Sequence, residues 1–142
     1  NPQPGPKFDF KLRWFERLTR RARDLMALEI PVVLAGDYNV IPTDADIANP
    51  RSMMDDALMQ PESRAAFRAI LNLGFTEAFR TRNPGPSHYS FWDYQAGAWQ
   101  KNNGIRIDHL MLSPQAPEAP PMRTIRSLIA WSPPPSAAAA SR

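Results

Sequence analysis

The sequence predicts an α/β fold, because helical and strand-like segments alternate along the chain. Apolar residues recur at helical spacing from about Phe8 to Glu29 and predict an amphipathic helix. The apolar run 32–35 predicts a short strand that is buried on both faces. A second helix is predicted from Pro61, and the run from Ile105 to Leu112 predicts another strand. We therefore expect a sheet that is covered by helices.

The first predicted helix has one apolar stripe and one charged side. The stripe consists of Leu12, Phe15, Leu18, Ala22, Leu25 and Met26. The side chains that face away from it are Arg13, Arg17, Arg20 and Asp24. These arginines could contact phosphate groups, but we expect a solvated outer face.

Turns and short apolar segments alternate in the rest of the chain. Residues 43–60 form a polar loop that contains four aspartates. Gly74 is placed to end the second helix, a Pro/Gly turn covers residues 83–86, and an aromatic stretch runs from His88 to Tyr94. From Pro114 onward Pro, Ala, Ser and Arg dominate, a composition that predicts disorder.

Composition and charge restrict the function. The chain has no cysteine, so disulfides and thiolate metal sites are excluded. Residues 1–30 carry seven basic and four acidic side chains, whereas residues 31–60 carry one basic and five acidic. An acidic centre beside a basic flank suits a metal-dependent enzyme that acts on a polyanion, although solvated helix faces give the same pattern. No apolar run is long enough to cross a bilayer and no signal peptide is present, so we expect a cytoplasmic protein without a membrane partner.

A first group of polar residues stands at the carboxyl end of the predicted first strand, where α/β folds commonly place chemistry. Alternation along the strand would direct Asp37 and Asn39 into one cleft and Tyr38 the other way. The carboxylate can accept a proton from water or bind a cation, and the amide can donate to a phosphate oxygen. The sequence Gly-Asp-x-Asn is equally suited to a turn that leaves the strand.

A second group lies in the last predicted strand. Arg106 and Asp108 are predicted to share one face, and Ile105 and Ile107 the other. An aspartate in an apolar strand needs a partner, which could be Arg106 or a catalytic histidine that the carboxylate orients. His109 is not easily that histidine, because adjacent strand residues point to opposite faces. We expect a structural role for it.

The aromatic stretch forms a third group. Phe91, Trp92 and Tyr94 are followed by Lys101 and Asn102. Aromatic side chains near basic and amide groups suit stacking on a sugar or base beside phosphate contacts. An ordinary core strand explains the aromatic run as well, and we expect it for Trp92.

Five segments, in the same order, resemble motifs of the exonuclease III-type enzymes of the endonuclease/exonuclease/phosphatase superfamily. They are Gly36-Asp37-Tyr38-Asn39-Val40, Asp44-x-Asp46-x-x-x-Asn49-Pro50, Gly74-Phe75-x-x-Ala78-Phe79-Arg80, Tyr89-Ser90-Phe91-Trp92-Asp93-Tyr94 and Asn102-x-Gly104-x-Arg106-Ile107-Asp108-His109. Residues 1–10 also resemble the family's loop before its central helix. The resemblance covers about residues 1–113.

The resemblance implies part of a four-layer α/β sandwich, in which two β-sheets are flanked by helices. It implies a monomeric DNA-repair phosphodiesterase with 3′-5′ exodeoxyribonuclease and abasic-site endonuclease activity. The implied cofactor is Mg²⁺ or Mn²⁺, and the implied partner is double-stranded DNA with abasic sites or 3′ ends. In that scheme Asp37 activates or positions the attacking water, Asn39 steadies the phosphate, and both bind the metal ion. Asp108 would orient a histidine.

The resemblance also implies a DNA-binding pocket. Phe91, Ile105 and Ile107 match positions that wall the pocket for a flipped-out abasic sugar. Such a pocket favours the lesion, because no base has to be unpaired to fill it. Lys101 and Asn102 are candidates for contacts with the DNA backbone.

The chain departs from the family pattern at both ends. The family's metal-binding glutamate and further active-site residues belong to a first half that this sequence lacks, and the closing Ser-Asp-His motif does not follow Ser113. We therefore expect a carboxy-terminal half, residues 1–113, that is inactive alone, followed by a tail, residues 114–142. Because the tail resembles a GC-rich gene read in another frame, we hypothesise a truncated or frame-shifted product.

Three alternatives stay open. The chain could belong to another phosphodiesterase or phosphatase of the superfamily, acting on a phospholipid head group or an inositol phosphate. It could be a non-catalytic nucleic-acid-binding remnant that uses its basic helix and aromatic segment. It could also fail to fold stably, because half of a sandwich exposes a sheet face and its edges.

Overall fold

A computed structural model describes residues 5–116 of the 142-residue chain. The helices in this range are α1 Pro6–Met26, α2 Pro61–Leu71 and α3 Ala78–Arg82. The strands are β1 Val33–Asp37, β2 Thr76–Glu77, β3 Phe91–Trp92, β4 Gly104–Ile105 and β5 Asp108–Leu112. Two short 3-10 helices, Asp44–Asp46 and Pro50–Met53, lie between β1 and α2.

Two small antiparallel sheets organise the chain. The first has the order β1-β5-β2, and the second is formed by β3 and β4. Helices α1 and α2 cover one face of the first sheet, where apolar side chains of both helices meet the sheet. This main core cluster contains Phe15, Ala22, Val32, Tyr38, Val40, Phe67, Ile70, Phe75 and Met111. Helices packed on sheets form an α/β fold, as the sequence predicts.

The two long helices form where the apolar periodicity predicts them. Helix α1 begins at Pro6, two residues before the predicted start, because proline fits the first helical turn. Its arginine-bearing side is exposed, in agreement with the prediction. Gly74, after α2, has a φ of +110°, which favours glycine and lets the chain turn towards β2.

Strand β1 is not buried on both faces, and that prediction was wrong. Val33 is 55% exposed and Ala35 is also exposed, because α1 and α2 cover only the opposite face. We call the side of this sheet that no described helix covers the open face. It carries Val33, Ala35 and Asp37 from β1 and, opposite them in the register, Leu112, Leu110 and Asp108 from β5.

The predicted single strand from Ile105 to Leu112 is also wrong. Its first part pairs with β3 in the second sheet, and its second part, β5, lies in the first sheet. Arg106 and Ile107 form the crossing between the two sheets. Arg106 is only 3% exposed whereas Asp108 is exposed, so these two side chains do not share a face.

The loop predicted as polar contributes a second core cluster, which contains Ile41, Ile47, Leu58, Met59 and Ile107. Asp46 of the same loop is 1% exposed. The described part of the chain has no helix of the length and hydrophobicity that a membrane span requires. Most of the tail predicted for residues 114–142 lies outside the described residues.

Candidate active site

Strands β1 and β5 bring two carboxylates together on the open face. Asp37 is the last residue of β1, Asp108 is the first of β5, and they are direct partners in the antiparallel register. Side chains of such partners leave the sheet on the same face, with Cβ atoms about 5 Å apart. Both residues are exposed. A ligand that approaches the open face therefore meets both carboxylates.

Asn39 lies beside this pair in a tight turn. Its backbone N–H donates to Oδ1 of Asp37 over 2.7 Å, and its φ is +51°, a left-handed value that asparagine tolerates. Asp37 and Asn39 are exposed while Tyr38 between them is 5% exposed. The segment is thus a turn, and it also presents both polar side chains to solvent. The structural interpretation, a turn that leaves the strand, is therefore compatible with the functional one, a pair of exposed polar side chains.

Burial and charge raise the pKa of Asp37. Partial burial is the largest cause, and the negative charge of Asp108 adds to it. The N–H of Asn39 and the charge of Lys11 act in the opposite direction. A carboxylate with a raised pKa accepts protons more readily, which suits a group that takes a proton from water.

Lys11 lies behind this turn and is a site residue that the sequence reasoning missed. Its Nζ donates to the carbonyl of Asn39 over 2.5 Å and to that of Ala57 over 2.9 Å. Burial lowers its pKa to about 8, although Asp56 and Asp37 counteract the effect. The available signal was its position: Lys11 precedes Phe15 by four residues and therefore falls on the apolar side of α1.

Arg106 does not pair with Asp108, contrary to one sequence interpretation. Its Nε donates to Oδ1 of Asp46 over 2.8 Å, and its Nη1 lies 3.1 Å from Oε2 of Glu77. Arg80 also forms an ion pair with Asp46. Burial would raise the pKa of Asp46, but hydrogen bonds and charge from Arg106, assisted by Arg80, hold it below its usual value. This buried network fixes the crossing segment that leads into Asp108.

His109 has a structural environment, as predicted. It is 3% exposed on the buried face, whereas Asp108 is exposed. Its Nε2 lies 2.9 Å from the carbonyl of Val40, and its Nδ1 lies 3.1 Å from Nη1 of Arg106. The other histidine, His88, packs edge-on against a phenylalanine ring. The described residues show no hydrogen bond or ion pair between either histidine and the Asp108 carboxylate.

The predicted pocket residues lie near the second sheet. Phe91 and Ile105 are cross-strand partners, and Phe91 is 38% exposed. Ile105 packs against the second core cluster, and Ile107 is a buried member of it. The three residues are therefore close together, and Phe91 is the one that presents most surface. Their role in a pocket stays a prediction.

Lys101 and Asn102 lie in the exposed loop that joins β3 to β4. Lys101 donates from Nζ to the carbonyl of Ala96 over 2.9 Å. Oδ1 of Asn102 accepts a hydrogen bond of 3.1 Å from Nε1 of Trp92. Trp92 is half-buried rather than part of either core cluster. Contacts of this loop with DNA also stay a prediction.

Residues of the same loop, together with Trp92, line an open cleft of about 280 Å³. Its lining residues are Trp92, Asp93, Tyr94, Gly97, Ala98, Trp99 and Gln100. The rings of Trp92 and Trp99 meet edge to face with centroids 4.7 Å apart, while Tyr94 is 98% exposed. An exposed ring such as that of Tyr94 provides a surface on which a base or sugar can stack.

The donor atoms near the turn fit a hard divalent cation in part. Asp37, Asn39 and Asp108 offer oxygen atoms, and Mg²⁺ is commonly held by one or two carboxylates together with waters and substrate phosphates. Within residues 5–116, no three acidic, histidine or cysteine side chains are grouped as a metal site. The described residues could therefore supply some ligands of a metal ion but not a closed cage.

Comparison with known proteins finds relatives of this chain in one family. The model of the Endonuclease/Exonuclease/phosphatase family matches residues 1–129. The exodeoxyribonuclease of Bacillus subtilis is 35% identical over 108 residues, which are 75% of this chain and 42% of that protein. The DNA repair nuclease APEX1 of Danio rerio is 40% identical over 84 residues, which are 58% of this chain and 27% of that protein.

Solved structures lead to the same family. The 3′-5′ exonuclease NExo from Neisseria meningitidis is 36% identical and superposes with a TM-score of 0.74, over 78% of this chain and 43% of that chain. Another structure of NExo, described as a 3′ phosphatase, contains a product DNA hairpin. The chain thus spans less than half the length of these relatives. The comparisons confirm the fold class and the family resemblance that were inferred from the sequence.

Proposed function

This chain belongs to the Endonuclease/Exonuclease/phosphatase family, and we propose that it is part of a DNA-repair phosphodiesterase of the exonuclease III type. Its reactions would be 3′-5′ exodeoxyribonuclease and abasic-site endonuclease cleavage. The observation that carries the proposal is the pairing of Asp37 with Asp108 on the open face, beside the exposed turn of Asn39. This arrangement supports the proposal, because a proton acceptor and an amide donor would then act on one phosphate group.

Each of the three residues has a separate role in the proposal. Asp37 positions the attacking water and accepts its proton, for which its raised pKa is suitable. The amide of Asn39 donates to the phosphate oxygen on which negative charge develops. Asp108 orients a histidine, and in the described residues neither His88 nor His109 is hydrogen-bonded to Asp108. The histidine would therefore come from another part of the protein or from another chain.

Nucleases of this family depend on a metal ion, and we propose Mg²⁺ or Mn²⁺. Asp37 and Asn39 would contribute oxygen ligands, with water and substrate phosphate completing the set. Such an ion stabilises negative charge on the phosphate and makes a bound water more acidic.

Duplex DNA with an abasic site or a 3′ end is the proposed substrate. Phe91 and Ile105, with Ile107 behind them, would wall the pocket for the abasic sugar. Lys101 and Asn102 would contact the backbone from the loop between β3 and β4. A cytoplasmic location and a monomeric enzyme complete the proposal.

The test is a chimera in which this chain replaces the matching segment of the Bacillus subtilis exodeoxyribonuclease. We expect the chimera to nick an abasic-site duplex and to shorten a 3′ end in Mg²⁺, and to leave inositol phosphates and phospholipids intact. Failure to cut DNA, while the unmodified relative cuts it, would contradict the proposal. Hydrolysis of an inositol phosphate would instead favour another reaction of the superfamily.

The chain by itself should behave differently from the chimera. Because the described residues supply only part of a metal site, we expect weak or no nicking by the chain alone. Robust Mg²⁺-dependent nicking by the chain alone would refute the prediction that its active site is incomplete. Binding to DNA that weakens steeply with salt, without cleavage by the chimera, would favour the nucleic-acid-binding remnant.

A further inference from the structure

The backbone that follows Asp37 is held by side chains instead of by a neighbouring strand. Strand β1 ends at Asp37, and residues 39–41 run outside both sheets. Three consecutive carbonyls of this segment each accept a hydrogen bond from a side chain of a different element. The donors are Lys11 of α1 to Asn39 (2.5 Å), His109 of β5 to Val40 (2.9 Å) and Arg64 of α2 to Ile41 (2.9 Å).

At Val40 and Ile41 these bonds take the place of water, which cannot reach the two buried residues. Val40 and Ile41 are fully buried, and a buried carbonyl without a donor is strongly disfavoured. The strand ladder cannot supply donors here because the chain has already turned at Asn39, whose φ is +51°. Side chains from the surrounding elements, together with the hydrogen bond of 2.9 Å from the Ile41 N–H to the Leu58 carbonyl, therefore determine where this backbone lies.

His109 is held in one orientation and one protonation state. The carbonyl of Val40 can only accept, so Nε2 of His109 carries the hydrogen. The guanidinium of Arg106 can only donate, so Nδ1 is the acceptor. The contacts thus specify a neutral imidazole protonated at Nε2, with its ring tied to the buried network of Arg106.

Lys11 and Arg64 are each fixed at a second point. Nζ of Lys11 also donates to the carbonyl of Ala57, and Nη2 of Arg64 forms an ion pair with Asp44 over 2.8 Å. Each long side chain therefore links the turn to another part of the fold. Its own conformational freedom is restricted before a ligand arrives.

We propose that Lys11, His109 and Arg64 are positioning residues that hold the backbone of residues 39–41 and thereby keep Asn39 beside Asp37. All three donate hydrogen bonds to main-chain carbonyls of this segment, and Lys11 in addition acts on Asp37 through its charge. The proposal rests on the proposed function for its catalytic meaning. The set of three hydrogen bonds to the carbonyls of residues 39–41, which we call the clamp, is a property of this chain and can be measured without any substrate.

The test is amide hydrogen exchange of the full chain, followed by NMR. His109→Phe removes both hydrogen bonds and retains the ring shape, while His109→Gln retains a donor that can reach Val40. Lys11→Met is matched by Lys7→Met, which changes an exposed lysine of the same helix. We expect exchange at the Asn39 and Ile41 amides to rise at least tenfold in His109→Phe and Lys11→Met.

The expected recovery distinguishes positioning from general stability. Exchange should return towards the wild-type rate in His109→Gln and stay unchanged in Lys7→Met, and the core amide of Ile70 should keep its rate in all four variants. Unchanged exchange in the turn would overturn the proposal, as would an equal rise at Ile70. An imidazole spectrum with the hydrogen on Nδ1 of His109 would overturn it as well.

Kinetics of the chimera separate this inference from the proposed function. In a chimera that cleaves abasic DNA, His109→Phe should lower kcat at least tenfold with little change in KM, and His109→Gln should recover it, because the position of the turn is disturbed and the residues proposed to contact DNA are unchanged. A change in KM alone would contradict positioning. If the unaltered chimera cleaves nothing, the proposed function fails, while the exchange result still decides whether the clamp exists.

Discussion

Lowering the pH from 7 to 5 is expected to destabilise the described fold by about 2 kcal/mol through a single residue, His109. The side chain is 3% exposed and both of its ring nitrogens are engaged. Protonation would place a second positive charge beside Arg106 and would remove the acceptor that its guanidinium uses. The folded state therefore binds a proton at His109 much more weakly than the unfolded chain does.

The magnitude follows from the two pKa values. Burial, with the charge of Arg106 as the next cause, lowers the pKa of His109 from 6.5 to about 4, while the Val40 carbonyl and Asp46 act in the opposite direction. Between these values the unfolded chain holds more protons than the folded one, so stability falls as the pH falls. The stabilisation is fully present above pH 6.5 and is lost as the pH falls to about 4. The total loss of unfolding free energy is then roughly 3 kcal/mol.

The assay is urea unfolding at pH 7 and pH 5, followed by tryptophan fluorescence. The two histidines of the chain provide a matched pair of variants. His109→Gln should remove most of the decline in unfolding free energy, whereas His88→Gln should retain it. An equal decline in wild type and His109→Gln would show that another group causes the pH dependence, and the reasoning would be wrong.

Two further substitutions examine the packing around the site. Arg106→Met should lower the unfolding free energy by about 3 kcal/mol in urea titrations, because Asp46 and Glu77 then keep buried charges without this partner. A loss of less than about 1 kcal/mol would contradict the role of the network. Gly104→Ala should lower the unfolding free energy by about 1–3 kcal/mol and change the tryptophan emission, because a Cβ there would lie 2.7 Å from Nε1 of Trp92. An unchanged spectrum and stability would show that the loop adjusts freely.

Local periodicity was sufficient to predict the two long helices, but not the short helix α3 and not which strand faces are covered. The apolar stripes of α1 and α2 pack on the sheet as expected. The run 32–35 is apolar at every position, which is typical of a strand between two helical layers. Helices cover only one face of β1 in the described residues, and Val33 is consequently 55% exposed. A sequence pattern records the hydrophobicity of a face and not the element that covers it.

Long-range contacts account for the errors near Asp108. Alternation from Ile105 to Leu112 gave no sign that the chain crosses from one sheet to the other. The crossing is stabilised by Asp46, which lies 60 residues before Arg106. Similarly, the register that joins Asp37 to Asp108 is a tertiary property. The residue types were recognisable from their motifs, but their distances were not.

Lys11 is a charged residue on the apolar side of α1. A lysine on the apolar side of an amphipathic helix needs an acceptor when the helix packs. Its two acceptors are backbone carbonyls of distant segments, so no charge partner in the sequence could indicate them. The inward position was therefore predictable, and the link to the turn of Asn39 was not.

The most direct test of the account is the cleavage rate of an abasic-site duplex by the chimera with Asp37→Asn. This substitution keeps an oxygen that can accept the N–H of Asn39 and removes the group proposed to take the proton. We predict a loss of at least 10²-fold in kcat with an unchanged melting temperature. An Asp37→Asn chimera that cleaves at the rate of its parent would contradict the assignment of this turn as the catalytic site.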